Sequence, residues 1–130
     1  MKVLLVDDEE DIRTIGRVSL VAIGKLQAVL AASASEALEL ARAERPDIIL
    51  MDMIMPGMDG LAALAALQRI PELCRIPVVF MTANARGEDV ERYLCAGAAG
   101  VIQKPFDPKT LPEQIKRIVQ SVNGGSSNTP

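Results

Sequence analysis

The chain has 130 residues, 49% of them apolar but only 2% aromatic, with a formal net charge of −3 and no histidine. That length suits one domain with an aliphatic core. The missing histidine excludes imidazole catalysis and His-built zinc sites, and the acidic balance without a Lys/Arg cluster excludes the electrostatic footprint of sequence-independent nucleic-acid binding.

The first apolar run, 3–6, leads into the acids Asp7, Asp8 and Glu9. It is too short for a signal-peptide core, and no later stretch approaches the ~18 apolar residues of a membrane span. Ile12, Ile15, Val18 and Ala22 then recur at helical spacing until Gly24 stops the pattern. After a second strand-like run, 27–31, Ser33 and Glu36 have the spacing of a capping box before Ala37, Leu40 and Ala41, and Pro46 ends the helix. The third run, 48–51, is followed by Asp52 and the segment 53–60, in which Pro56-Gly57 predicts a type II turn and Asp59 a helix cap. A helix with Leu61, Leu64 and Leu67 runs up to Pro71. The fourth run, 77–81, precedes a weaker helix from about Glu88 to Ala96, with Val90 and Leu94 on one side. The fifth, 100–103, precedes a helix whose stripe is Leu111, Ile115, Ile118 and Val122. Residues 123–130, rich in Gly, Ser and Asn, read as a flexible C-terminal tail or truncated linker behind a domain of residues 1–122. Cys74 and Cys95 lack metal-ligand spacing and are expected to be the reduced thiols of a cytoplasmic protein.

Strict alternation of strand and helix predicts an α/β fold: a doubly wound, five-stranded parallel sheet of order 2-1-3-4-5, flavodoxin-like, with five helices. In such a sheet every strand ends at one edge, so polar residues just after different strands meet there. Those residues are Asp7 and Asp8, Asp52, Thr82 and Lys104. Singly, each has a plain structural alternative: Asp8 a helix cap, Asp52 a turn residue, Thr82 a strand-end hydroxyl, Lys104 a solvated amine. Together they predict a site. Three neighbouring carboxylates repel one another unless a cation joins them, and all-oxygen ligands favour Mg²⁺ or Mn²⁺. Mg²⁺ in turn favours phosphate oxygens. On this reading Asp52 is a carboxylate nucleophile for phosphorus, Lys104 and the metal neutralise phosphoryl charge, Thr82 bonds a phosphoryl oxygen, and the Ile54 carbonyl faces the metal. With no Gly-rich nucleotide loop, the phosphoryl donor lies outside the chain.

These residues carry a resemblance. Val-Asp-Asp-Glu at 6–9, Asp52 with Met-Pro-Gly-Met-Asp-Gly at 55–60, Met-Thr-Ala at 81–83 and Lys-Pro-Phe at 104–106 resemble the motifs of response-regulator receiver domains, including single-domain chemotaxis regulators, over residues 2 to about 122. The resemblance implies that Asp52 is the phosphoacceptor. It implies Mg²⁺ held by Asp8, Asp52 and the Ile54 carbonyl with Asp7 acting through water, Lys104 paired with the phosphoryl group, Thr82 moving to bond it, and a cis Lys104-Pro105 peptide. It further implies a sensor histidine kinase or histidine phosphotransfer protein as donor, an output partner that the chain does not name, and a monomer or weak dimer. Such a domain is not an enzyme with a turnover of its own, but it assists its own phosphorylation and dephosphorylation. One position departs from the family: Val101 stands where an aromatic residue is usual, so the switch is expected either to pass through backbone and loop shifts after Thr82 or to be weak. Apolar Ile54 cannot orient a hydrolytic water, and a long-lived phosphoryl state is expected unless Asn84 does so.

Three rival functions are weaker. A phosphohydrolase of the haloacid-dehalogenase kind needs a second acid two positions after its nucleophile, where Ile54 stands. A degenerate receiver used only for docking need not keep Asp8, Asp52, Thr82 and Lys104 together. Flavodoxin-like cofactor binding is opposed by the acidic first loop.

Overall fold

The computed structural model describes every residue except Met58, Asn84 and 128–130, and side chains through Val122. The strands are β1 (Lys2–Val6), β2 (Gln27–Ala31), β3 (Ile48–Asp52), β4 (Val78–Thr82) and β5 (Gly100–Gln103). They form one parallel sheet in the expected order, β2-β1-β3-β4-β5. The helices are α1 (Glu10–Arg17), which continues as a π-helical segment over Val18–Ile23, then α2 (Ala34–Glu44), α3 (Gly60–Gln68), α4 (Gly87–Cys95) and α5 (Leu111–Ser127). β3 and β4 are buried at every residue, which is why they read as unbroken apolar runs rather than alternating ones.

Alternate strand residues divide the core into two layers. Leu4, Val6, Ile49, Met51, Val78 and Phe80 face α2, α3 and α4, where they meet Ala37, Ala41, Leu64, Leu67 and Tyr93. Val3, Leu5, Ile48, Leu50, Val79 and Met81 face the α1 and α5 side, where they meet Leu20, Leu111 and Ile115. Phe80 and Tyr93 pack edge to face with ring centroids 5.6 Å apart.

Local signals account for most helix ends. Ser33 Oγ accepts from the Glu36 N–H at 3.2 Å, while the Glu36 carboxylate reaches back to the Ala32 N–H at 2.9 Å, a capping box shifted by one residue. The Asp59 carboxylate caps α3 through the Ala62 N–H at 2.8 Å, and Gly57 takes the positive φ, 86°, that the turn requires. Four details differ from the sequence reading. The residue capping α1 is Glu9, not Asp8, and its side chain makes no capping bond. On α4 the anchor is buried Tyr93, whereas Leu94 is exposed. The α1 stripe faces outward: Ile15 and Val18 are 44% and 53% exposed. The backbone of α5 stays helical past Val122 to Ser127, into the stretch whose composition suggested a tail.

Candidate phosphoacceptor site

The switch between β1 and β3, where the chain winds to opposite sides, opens a cleft at the carboxyl edge of the sheet. A cavity of about 640 Å³ lies there, with Asp8, Asp52, Ile54, Pro56, Thr82 and Lys104 in its wall. Asp52 and Thr82 are the last residues of β3 and β4, while Lys104 follows β5 directly. Sheet geometry alone therefore brings together residues 52, 82 and 104. Asp7 completes the set behind the wall, fully buried after β1, where its N–H donates to the Ala31 carbonyl at 3.1 Å.

Lys104 organises the acids. Its ammonium donates to Asp7 Oδ2 at 2.9 Å and to Asp52 Oδ2 at 3.2 Å. Asp7 Oδ1 accepts from the Glu9 N–H at 2.9 Å, and the Ile54 N–H reaches Asp52 Oδ1 at 3.4 Å. Carboxylate oxygens of Asp7, Asp8 and Asp52 lie within 4.8 Å of one another. One ammonium among three carboxylates leaves the cluster negative, and the electrostatics register this. Burial, then the charge of Asp7, lifts the Asp52 carboxyl above its ordinary value, and the bond from Lys104 only partly offsets them. For Lys104, burial acts to lower the pKa, but hydrogen bonds to Asp7 and Asp52 outweigh it and hold the ammonium protonated more firmly than in water.

The donor set fits a hard divalent cation: oxygen ligands only, close together, with uncompensated charge and open volume in front. Asp8, exposed at the mouth, and Asp52, 7% exposed in the wall, are the two carboxylates such an ion can reach most directly. The Ile54 side chain is 80% exposed beside the cavity and brings no acid to the place where a phosphohydrolase needs one. The Lys104–Pro105 peptide is cis. Asn84, expected as a possible guide for hydrolytic water, lies outside the described residues. Sequence reasoning missed Arg13, whose guanidinium donates to the Asp7 carbonyl at 2.7 Å and ties α1 to the site. Its signal is faint, since an arginine on the first turn of a helix is ordinarily solvated.

Fold and site together define a doubly wound α/β domain with an acidic pocket at the strand ends whose carboxylates could hold a metal ion. Comparison with known proteins gives the family. Residues 3–116 match the model of the response regulator receiver domain, and the chain belongs to that family. It is 33% identical over 124 residues to the chemotaxis protein CheY of Pseudomonas aeruginosa, covering 95% of this chain and all of that one. It is 34% identical over 127 residues to the probable transcriptional regulator ycf27 of Porphyridium aerugineum, covering 98% of this chain and 51% of that one. The chain thus spans about half the length of several curated relatives it matches. Among solved structures, the chemotaxis response regulator CheY4 of Vibrio cholerae superposes with a TM-score of 0.83 at 32% identity, over 90% of this chain and 97% of that one. No helix among the described residues is long and apolar enough to cross a membrane.

Proposed function

We propose that this receiver domain accepts a phosphoryl group on Asp52, in a Mg²⁺-dependent transfer from a histidine kinase or histidine phosphotransfer protein, and that the acyl phosphate changes its affinity for an output partner. The observation that carries the reading is the bifurcated contact of Lys104 with Asp7 and Asp52 in the wall of the acidic cavity. An ammonium held there by Asp7 stays in place whichever bonds Asp52 makes, so it can neutralise a phosphoryl oxygen as Asp52 reacts.

In the transfer, an Asp52 carboxylate oxygen attacks the phosphorus of a phosphohistidine. The P–N bond breaks, the imidazole leaves with that electron pair, and an acyl phosphate O–P bond forms. Asp52 must be ionised to attack: burial and the charge of Asp7 oppose that ionisation, while the bond and charge of Lys104 favour it. Asp8, Asp52 and the Ile54 carbonyl are the groups assigned to Mg²⁺, with Asp7 positioned behind them. Bound there, Mg²⁺ would supply positive charge for the equatorial phosphoryl oxygens. Thr82, 8% exposed at the end of β4, lines the same cavity and is assigned the hydrogen bond to the transferred group. The donor protein needs a surface beside this mouth. The exposed apolar face of α1, Ile15, Val18 and Val21, begins two turns from Asp8 and supplies one.

Incubation with acetyl phosphate and Mg²⁺, followed by intact mass, tests the assignment. Wild type is expected to gain one phosphoryl group, and neither Asp52→Ala nor wild type in chelator should gain it. Equal uptake by Asp52→Ala moves the acceptor elsewhere.

A further inference from the structure

The segment between β4 and α4 leaves the site directly, because Thr82 and Ala83 both line the cavity. α4 begins only at Gly87, behind Arg86, whose side chain makes no capping bond. A side chain of β5 spans this gap. The Gln103 amide donates through Nε2 to the Ala83 carbonyl at 2.8 Å and accepts through Oε1 from the Ala85 N–H at 3.3 Å. Nε2 also reaches the Lys104 carbonyl at 3.3 Å. One amide thus binds a carbonyl and the N–H two residues further on, the pattern by which a residue of a parallel strand binds its neighbour. It follows the last backbone rung between these strands, the Lys104 N–H to the Thr82 carbonyl at 2.8 Å. The sheet ends at Thr82, and a side chain continues its hydrogen bonding into the loop.

We infer that Gln103 is a positioning residue for phosphoryl transfer: its amide clamps the backbone after Thr82, so that Thr82 and Ala83 keep their places opposite Asp52 and Lys104. The functional half of this inference rests on the phosphoacceptor reading, and the clamp itself does not. Gln103 touches none of the reacting groups. It acts through Ala83 and Ala85, and because it is exposed, its removal leaves the core intact. A loosened loop must be re-ordered each time a phosphoryl group is transferred, which lowers the maximal rate of transfer and leaves the affinity of the carboxylates for Mg²⁺ alone.

The test uses the full chain and two variants, Gln103→Met, of similar length without the amide, and Gln103→Ala. Amide hydrogen exchange is expected to quicken at Ala85 by roughly fivefold or more in both, with the amides of Val79 and Met81 unchanged. With acetyl phosphate as donor, the maximal rate of uptake should fall roughly threefold or more, while the Mg²⁺ dissociation constant, read by calorimetry, stays at its wild-type value. Unchanged exchange at Ala85 overturns the clamp, and faster exchange with an unchanged maximal rate overturns its role in transfer. If wild type takes up no phosphoryl group, the phosphoacceptor reading and the positioning role fall together, while faster Ala85 exchange in the variants still upholds the clamp.

Discussion

Helices α1 and α5 look alike in sequence and behave differently in the fold. Each carries four aliphatic residues at helical spacing, Ile12, Ile15, Val18 and Ala22 on one, Leu111, Ile115, Ile118 and Val122 on the other. On α5 the first half of the stripe is the buried face, with Leu111 and Ile115 fully enclosed against β1, β3 and β4 and Ile118 partly buried, while Val122 at its far end is 39% exposed. Of the α1 stripe only Ile12 packs against the core, while the buried positions along α1 and its π-helical continuation are Gly16, Ser19 and Leu20, with Gly24 just after them. Small residues let this helix sit close. A Cβ on Gly16 would collide with Leu5, and one on Gly24 would stand 2.6 Å from Pro112 Cβ. Ser19 Oγ donates to the Pro108 carbonyl at 2.5 Å, and the Gly24 N–H donates to the Ser19 carbonyl five residues back, the π-helical bond that shifts the phase of the last turns. Periodicity therefore identifies a helix, but the face that is buried depends on what its neighbour leaves room for.

Deleting a side chain from the enclosed stripe should do the most damage. Ile115→Ala removes a fully buried side chain between the sheet and α1, and is expected to cost about 2–5 kcal/mol in urea unfolding. Next comes the close approach of α1. Gly16→Val pushes β-branched bulk against the fully buried Leu5 side chain, which must repack within the core, and is expected to cost about 1–3 kcal/mol in the same assay. A tolerated Gly16→Val would mean that α1 rides higher on the sheet and that its small-residue face does not set its depth.

The same contrast explains what was legible beforehand. Strands of a parallel sheet buried on both faces announce themselves as short apolar runs, and the strand-end residues Asp52, Thr82 and Lys104 needed only strand order to be placed together. Turn and cap chemistry at Gly57 and Asp59 is local and could be read directly. The outward face of α1 was not legible, because glycine and serine carry almost no hydrophobic signal and a π turn leaves no mark in composition. Nor were the bonds of Arg13 and Gln103, since both side chains find backbone carbonyls that only the folded chain presents. On α4 the apolar spacing favoured Leu94, but the ring of Tyr93 has Phe80 to pack on, and the larger apolar surface took the buried position.

The smallest effect on stability should come from the exposed stripe itself. Val18 keeps about half its surface in water, and serine has a similar helix propensity, so Val18→Ser removes little burial and little backbone preference. The expected change is within about 0.5 kcal/mol, a shift in Tm of roughly 2 °C for a chain of this size. Phosphoryl uptake from acetyl phosphate should be unaltered, because that donor needs no protein surface. Transfer from a phosphorylated histidine phosphotransfer protein that phosphorylates wild type should slow, because the donor loses apolar contact with α1. A Val18→Ser protein as destabilised as Ile115→Ala would show that the α1 stripe is covered in solution. The two helices would then differ in what covers them, not in whether they are covered.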